Sequence, residues 1–273
     1  MNSYHQSNRD RWDAAAAKWK AMIDRRDTWR KIPSHPELVF VPEEMKYFKD
    51  LSLWYSPRAK LPVGSHSTGI AGKKVAVLGS GDNMAVLALA GMGAWVTSID
   101  ISEKQLDHAR ERAEKLGLDI KFIQADVTDL SVLPDAAFDL IYTGGHVAVW
   151  ISDLQQYYNE AVRILRTDGL FMVNEYHPFR RIWKKHTGKL EIEKDYFALG
   201  PFRYNFSNNI LEPEAGDYIC YEFHWTMSNF IQAVLDAGCR LIEVAEFGRH
   251  VGDWEGAPLQ GLPESFLLVG RKD

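Results

Sequence analysis

The sequence predicts an α/β protein: a three-layer α/β/α sandwich around a seven-stranded, mostly parallel sheet with an antiparallel last strand. Two observations support this prediction. From Lys73 onward, short runs of β-branched residues alternate with helical patterns, which is typical of βαβ units around a parallel sheet. The last two predicted strands, 241–247 and 266–270, are joined by a segment rich in Gly and Pro without a helical pattern, which disfavours a further βαβ unit.

The strands of this sheet are short apolar runs bounded by turn residues. They are predicted at residues 74–78, 94–99, 119–124, 138–142, 170–174, 241–247 and 266–270. Helical spacing of apolar residues predicts helices at about 83–90, 102–116, 154–165 and 230–235. The second of these helices has clear ends, because Ser102 and Gln105 stand at the spacing of a capping box and Gly117 is a typical helix stop.

An N-terminal segment precedes the alternating pattern. Residues 1–71 show no β alternation and end in a run rich in Pro, Gly and Ser, which indicates a helical extension followed by a domain at 72–273. Within this extension, helical spacing places a stripe on one face, formed by Trp12, Ala16, Trp19 and Ile23. We expect that face to lie on an apolar surface.

A second segment interrupts the alternation after the fifth strand. Residues 178–225 are dense in aromatic side chains and have no clean period of either kind. A stretch of this length inside an α/β domain is usually a functional insertion. Its aromatic residues predict either a substrate pocket or a small satellite core.

Composition and charge exclude several classes of protein. A hydrophobic fraction of 46% and a charged fraction of 25% are typical of a globular protein, and a net charge of −5 gives no basic footprint for nucleic acid. The two cysteines and the histidines show no metal-ligand spacing, so no metal is expected. The apolar run 84–96 is too short to span a membrane, and no signal sequence is apparent. A cytoplasmic location is therefore expected.

Residues that follow the first three strands form the expected ligand site, because ligands of open parallel sheets bind at the carboxyl ends of the strands. The first strand ends in a loop of Gly79, Ser80, Gly81, Asp82 and Asn83, whose glycines let backbone N–H groups approach a ligand. Asp100 stands 21 positions after Gly79, a spacing at which a carboxylate can bind ribose hydroxyls. Asp126 ends the third strand and can accept from an adenine amino group. Together these residues predict an adenosine site.

This set of residues resembles the class I S-adenosylmethionine-dependent methyltransferases, which have a Rossmann-like fold. The resemblance covers roughly residues 73–175. It is carried by five segments in order, namely Val75–Gly81, Asp100–Ser102, Gln124–Val127, Phe138–Tyr142 and the turn Ile164–Gly169. Each segment alone is weak evidence, but five in order at these intervals are fairly specific.

The resemblance implies S-adenosyl-L-methionine as cofactor and gives each site residue a role. Gly79 and Gly81 would face its methionyl part, and Asp100 would bind the ribose hydroxyls. Asp126 would accept from the adenine amino group. Ile101 and Val127 would lie on either side of the adenine. Thr143 would lie near the sulfonium. Two positions depart from the family pattern: Val77 stands where an acidic residue is often found, and Asn83 replaces a common third glycine, so Asp82 is the alternative contact for the cofactor's amino group.

Catalytic residues are harder to predict, because methyl transfer mainly requires that the acceptor is aligned and, where needed, deprotonated. The candidate bases are His146, after the fourth strand, and Glu175 and His177, after the fifth. The alternative for each is a structural role, and His224 is a weaker candidate. In similar methyltransferases an N-terminal helix covers the cofactor, which makes residues 1–71 a candidate lid.

The predicted function is methyl transfer to a small-molecule acceptor in the cytoplasm; a protein acceptor and the oligomeric state stay open. One alternative is an NAD(P)-dependent oxidoreductase. Its fingerprint needs a third glycine at position 84, where this chain has Met84. A second alternative is a catalytically silent module that binds S-adenosylmethionine.

Overall fold

A seven-stranded sheet forms the centre of the computed structural model, which describes residues 1–54, 69–81, 84–205, 218–248, 253–254 and 257–273. The helices are α1 (Ser3–Arg26), α2 (Pro42–Lys49), α3 (Met84–Gly91), α4 (Glu103–Leu116), α5 (Leu154–Ile164) and α6 (Met227–Asp236). The strands are β1 (Lys74–Leu78), β2 (Trp95–Asp100), β3 (Ile120–Gln124), β4 (Phe138–Gly144), β5 (Leu165–Tyr176), β6 (Phe202–Asn205), β7 (Ile219–Glu222), β8 (Cys239–Phe247), β9 (Asp253–Trp254), β10 (Ala257–Pro258) and β11 (Ser265–Lys272).

The strand order of the central sheet is β3-β2-β1-β4-β5-β11-β8. Neighbours from β3 to β5 are parallel, whereas β11 runs antiparallel to both β5 and β8. The predicted fold class, with its antiparallel last strand, is confirmed. The chain order reverses between β1 and β4, which is the place where open α/β sheets bind ligands.

Both faces of the sheet are apolar, so helices cover both of them. In β1, Val75 and Val77 point into one core cluster with α2 and α3, while Ala76 and Leu78 point into the other with α5 and α6. This two-sided burial explains why the strands appear in the sequence as nearly continuous apolar runs.

The predicted element bounds differ from the observed ones mainly at β5. This strand begins at Leu165, directly after α5, and not at residue 170. The turn predicted at 167–169 is present as a bulge, since Phe138 pairs with Leu165 but Leu140 pairs with Leu170. Asp168 adopts a positive φ of 61° within this bulge.

Helix α1 packs across α4 and β7. Asn2 caps its start by accepting from the His5 backbone N–H, and the helix ends at Asp27 in a left-handed conformation. Near that end, the guanidinium of Arg112 on α4 lies 3.0 Å from the Asp24 carboxylate. Most of the loop predicted to end this segment, residues 55–68, lies outside the described residues.

The segment 178–225 contains only short elements where it is described. These are a single turn at Pro178–Arg181, a bridge between Trp183 and Ile192, and the antiparallel hairpin β6–β7. The lack of a long element agrees with the lack of a sequence period. Among the described helices, none combines the length and apolar composition needed to cross a membrane.

Candidate cofactor site

A cavity of about 270 Å³ lies at the carboxyl ends of β1, β2 and β4, with α1 as its roof. The floor consists of strand-end and loop residues: Gly79, Ser80, Gly81, Met84, Asp100, Ile101, Gln105, Asp126, Val127, Gly145, His146, Val147, Trp150 and Ile151. The roof consists of His5, Asn8, Trp12, Trp19 and Ile23, all on α1. The apolar stripe predicted on the N-terminal helix therefore faces this cavity.

The loop after β1 needs glycine for two reasons. Gly79 and Gly81 have φ values of +61° and +46°, in the left-handed region that residues with a Cβ disfavour. A Cβ on Gly79 would also lie 2.4 Å from Val147 Cγ1. The buried Ser80 hydroxyl lies 2.7 Å from Ser98 Oγ, and this contact ties the loop to β2. Asp82 and Asn83 lie outside the described residues.

Asp100 ends β2 directly opposite this loop. Its Oδ2 accepts from the Gly81 backbone N–H at 2.7 Å, and its Oδ1 accepts from the Ser102 N–H at 2.8 Å. Burial raises the pKa of Asp100 to about 6, although these two hydrogen bonds act in the opposite direction. A carboxylate has about four lone-pair sites, so the hydrogen bonds from Gly81 and Ser102 leave Asp100 capacity to bind a ligand with paired hydroxyl groups.

Asp126, at the end of β3, binds the N-terminal helix. Its Oδ2 lies 2.7 Å from His5 Nδ1, and its Oδ1 accepts from the N–H and the hydroxyl of Thr128. The Ser152 backbone N–H can only donate, so His5 Nε2 accepts from it at 3.0 Å and His5 Nδ1 carries the proton that it donates to Asp126. Burial alone would raise the pKa of Asp126, but His5 and Thr128 together lower it.

Gln105, one turn into α4, is a site residue that the sequence reasoning treated only as part of a helix cap. Its side chain is 3% exposed and lines the cavity. Neither its Oε1 nor its Nε2 has a hydrogen-bond partner among the residues that the structure describes. Buried amides are normally satisfied, so this amide fits a polar ligand in the cavity.

Thr143, near the end of β4, does not line the cavity. It is fully buried, and its Oγ1 accepts from the Tyr157 hydroxyl at 2.7 Å. The residues of this strand end that reach the cavity are Gly145, His146 and Val147.

His146 stands at the cavity wall in a left-handed conformation, with φ +85°. Its ring lies 4.7 Å from the ring of Tyr176 and 5.9 Å from that of Trp150. The Nε2 atom is buried and has no hydrogen-bond partner within the described part of the chain. Burial, together with the charges of Arg181, Arg180 and Arg11, holds the pKa of His146 well below its ordinary value.

The other two candidate bases lie outside the cavity. Glu175 Oε1 accepts from the backbone N–H groups of Val147 and Ala148 at 2.8 and 2.9 Å, so it positions the chain beside His146. Burial raises the pKa of Glu175 to about 7. His177 Nε2 lies 2.8 Å from Glu246 Oε1, and its ring stacks on Phe179, remote from the cofactor cavity.

Sequence reasoning missed His5 and Asn8, which join the roof to the floor. Asn8 Nδ2 donates to the carbonyl oxygens of Tyr221 and Trp150, and Asn8 Oδ1 accepts from the Tyr221 N–H at 2.8 Å. A signal for both was present, because residues 5 and 8 continue the stripe 12, 16, 19 and 23 at helical spacing. Extending that stripe backward places them on the same face.

Comparison with known proteins finds a methyltransferase domain within this chain. Residues 76–173 match the family model described as a methyltransferase domain. The methyltransferase YbaJ of Bacillus subtilis is 37% identical over 109 residues, which are 40% of this chain and 42% of that protein. The ubiquinone biosynthesis O-methyltransferase of Idiomarina loihiensis is 30% identical over 113 residues, which are 37% of this chain and 46% of that protein. The chain thus spans less than half the length of these two curated relatives.

Solved structures show the same fold. An S-adenosylmethionine-dependent methyltransferase from Mesorhizobium loti superimposes with a TM-score of 0.58 at 22% identity, over 74% of this chain and 92% of that chain. The matched family region contains the glycine loop after β1, Asp100 and Asp126, which line the cavity. Residues 76–173 therefore form a methyltransferase domain, and the fold around them is that of S-adenosylmethionine-dependent methyltransferases.

Proposed function

We propose that this chain transfers a methyl group from S-adenosylmethionine to a small-molecule acceptor. The observation that carries this proposal is the cavity of about 270 Å³ in which the loop of Gly79 and Gly81 faces Asp100 beneath α1. S-adenosylmethionine, when bound, supplies a methyl group that its sulfonium already activates. The chain then has to bind the cofactor, orient the acceptor and exclude water.

The residues around the cavity divide this work. Asp100 is proposed to accept from the ribose hydroxyls through the lone pairs that Gly81 and Ser102 leave available. Ile101 and Val127 provide apolar surfaces for the adenine. Asp126 already holds His5 through one oxygen, so its proposed contact with the adenine amino group would use a remaining lone pair.

Water exclusion is assigned to the roof. Trp12 and Trp19 cover the cavity from α1, and Trp150 closes it from the floor, with the rings of Trp12 and Trp150 5.5 Å apart. The acceptor must therefore reach the methyl group from another side or before α1 closes. This arrangement supports a role for residues 1–71 as a lid.

A small molecule is the proposed acceptor. One curated relative is by its name an O-methyltransferase of ubiquinone biosynthesis, which supports a small acceptor here. The net charge of −5 supports an acceptor other than nucleic acid. A cytoplasmic location remains part of the proposal.

Calorimetry with the Asp100→Ala variant tests the cofactor site. The wild-type protein is expected to bind S-adenosylmethionine and to ignore NADH and NADPH. Asp100→Ala is expected to weaken binding by about 1–3 kcal/mol, because charge-assisted hydrogen bonds to the ligand are lost. Asp107→Ala, an exposed carboxylate on α4, is the matched control.

Two results would contradict the proposal. Unchanged cofactor affinity in Asp100→Ala would contradict the assignment of the adenosine site to this carboxylate. Tight binding of NADH or NADPH would favour an oxidoreductase. Release of S-adenosylhomocysteine with a panel of metabolites then separates an enzyme from a silent binding module, which would bind the cofactor without turnover.

A further inference from the structure

A second cavity adjoins the cofactor cavity, and His146 belongs to the walls of both. It measures about 30 Å³, which is room for the reacting end of a ligand or for a water molecule. Its walls come from the ends of β4 and β5, the segment 178–225 and α6. The two cavities therefore meet at His146.

Five aromatic side chains from several elements belong to this wall. They are Tyr176, Tyr196, Phe223, Trp225 and Phe230. Phe223 and Trp225 lie nearly parallel, at an interplanar angle of 15° with centroids 6.3 Å apart. Flat, apolar walls of this kind favour a planar ligand.

Charged side chains of both signs surround the cavity. Arg181 Nη1 donates to Glu222 Oε2 at 3.0 Å, and His224 Nε2 lies 3.2 Å from the same oxygen. The wall itself contains two carboxyl groups, those of Glu175 and Asp195. An anionic ligand would meet two carboxylates and a guanidinium that is already engaged, so the cavity favours a neutral ligand.

Among the described residues, His146 is the one that lines both cavities, and one of its ring nitrogens lacks a hydrogen-bond partner. His146 Nε2 is buried without a hydrogen-bond partner among the described residues. Burial and the nearby arginines lower the pKa of His146, so at neutral pH the imidazole is uncharged and has one nitrogen free to accept a proton. A ligand hydroxyl would supply the missing hydrogen bond.

We infer that the second cavity is the acceptor site, that it takes a neutral, planar molecule with a reacting hydroxyl such as a phenol, and that His146 receives the hydroxyl proton. This inference rests on the proposed methyl transfer. As the acceptor O–H bond breaks, its proton moves to His146 Nε2, the oxygen forms a bond to the methyl carbon, and the sulfonium keeps the electron pair of the broken carbon–sulfur bond. The products are a methyl ether, S-adenosylhomocysteine and an imidazolium that returns its proton to water.

The ring of the acceptor needs more room than the cavity has in this structure. The wall that can yield is the one formed by Asp195 and Tyr196, since both lie in the irregular part of segment 178–225. The Tyr196 hydroxyl accepts from the Met227 N–H at 3.0 Å, and its ring lies 5.4 Å from that of Phe179 and 5.2 Å from that of Phe197. Side-chain rearrangements of this size are common when a ligand binds.

The test measures binding of three probes to the full chain saturated with S-adenosylhomocysteine. The probes are phenol, anisole, which lacks the hydroxyl proton, and 4-hydroxybenzoate, which adds an anionic group. Phenol is expected to bind at least threefold more tightly than either of the others. His146→Asn, a substitution that tolerates a positive φ, is expected to weaken phenol binding about tenfold and to leave anisole unchanged. His186→Asn is the control, because His186 is exposed and has a φ of +59°.

Each other outcome has a defined meaning. Equal binding of phenol and anisole, or tighter binding of 4-hydroxybenzoate, overturns the inferred acceptor class. Unchanged phenol affinity in His146→Asn overturns the role of His146. Failure of S-adenosylhomocysteine itself to bind contradicts the proposed function instead, so the two failures are distinguishable.

A second variant keeps the test valid if His146→Asn does not fold. Phe223→Leu retains an apolar wall but removes one of the flat rings. It is expected to weaken phenol binding about threefold with cofactor affinity unchanged, and an unchanged phenol affinity would place the acceptor elsewhere.

Discussion

At the scale of single residues, the site contains polar groups that are costly to bury and gain nothing within the chain. The amide of Gln105 and the Nε2 atom of His146 are both buried without a partner among the described residues. An unsatisfied buried polar group costs about 1–3 kcal/mol. Such a cost is understandable where a bound ligand supplies the missing hydrogen bond, and each group lies in the wall of a cavity.

Gln105→Leu tests this interpretation, because leucine has a similar volume but no amide. The free variant is expected to be at least as stable as the wild type, since two unpaired polar atoms are removed. Its affinity for S-adenosylhomocysteine is expected to fall about 3–10-fold, which corresponds to one net hydrogen bond. Urea denaturation and calorimetry measure the two effects.

The test is specific because the expected changes in stability and in ligand affinity have opposite signs. A merely structural role for Gln105 predicts lower stability and an unchanged affinity. Gln232→Leu on α6 is the control, since the Gln232 amide bonds only Asp236 on its own helix in the described structure.

At the scale of elements, α1 is attached to the rest of the fold along its whole length. The Asn8 side chain both donates to the Tyr221 carbonyl oxygen and accepts from the Tyr221 N–H in β7. Ser102 Oγ donates to the Asp13 carboxylate at 2.6 Å. Further along, Arg112 pairs with Asp24. Cofactor exchange through the roof requires these contacts to break, at least in part.

Asn8→Ala is therefore expected to loosen the roof. The substitution leaves the Tyr221 N–H and the Trp150 carbonyl without their partner, and it should destabilise docking of α1 by about 1–3 kcal/mol. Amide hydrogen exchange in α1 should accelerate, and S-adenosylhomocysteine should dissociate about tenfold faster in stopped-flow measurements. Gln6→Ala is the control, because the Gln6 side chain bonds Asp10 on the same helix. Equal dissociation rates in the two variants would show that α1 does not gate the cavity.

The sequence predicts the floor of the site far better than its roof. Gly79, Asp100 and Asp126 each follow directly from a strand end, and strands are local patterns of apolar residues. The contacts of His5 and Asn8 join residues 121 and 213 positions apart, so no local pattern specifies them. The helical stripe through Trp12 and Trp19 predicts that this face is covered, but not by what.

His146 likewise combines a feature that the sequence predicts with one that it does not. Its place after a predicted strand puts it at the site, but its position between two cavities depends on segment 178–225, whose fold has no period to reveal it. The exclusion of Thr143 and His177 from the cavity is likewise decided by tertiary partners, namely Tyr157 and Glu246.

At the scale of the whole molecule, the site makes stability depend on pH. Burial raises the pKa of Asp100 from 3.8 to about 6 and that of Glu175 from 4.5 to about 7. The folded protein therefore binds more protons than the unfolded chain at intermediate pH. The stability that these groups contribute is fully present below about pH 4 and is lost as the pH rises through 6 and 7.

Glu175→Gln isolates one of these two groups. Glutamine can still accept through Oε1 from the Val147 and Ala148 N–H groups, but it cannot ionise. From the raised pKa of Glu175, the free energy of unfolding of the variant minus that of the wild type is expected to increase by about 2–3 kcal/mol between pH 5 and pH 8. Urea denaturation at several pH values measures this difference, with Glu103→Gln on the surface of α4 as control. A difference that stays constant with pH would mean that Glu175 ionises as readily in the folded protein as in the unfolded chain. In that case the buried Glu175 carboxylate would not destabilise the fold, and positioning His146 through it would carry no free-energy penalty.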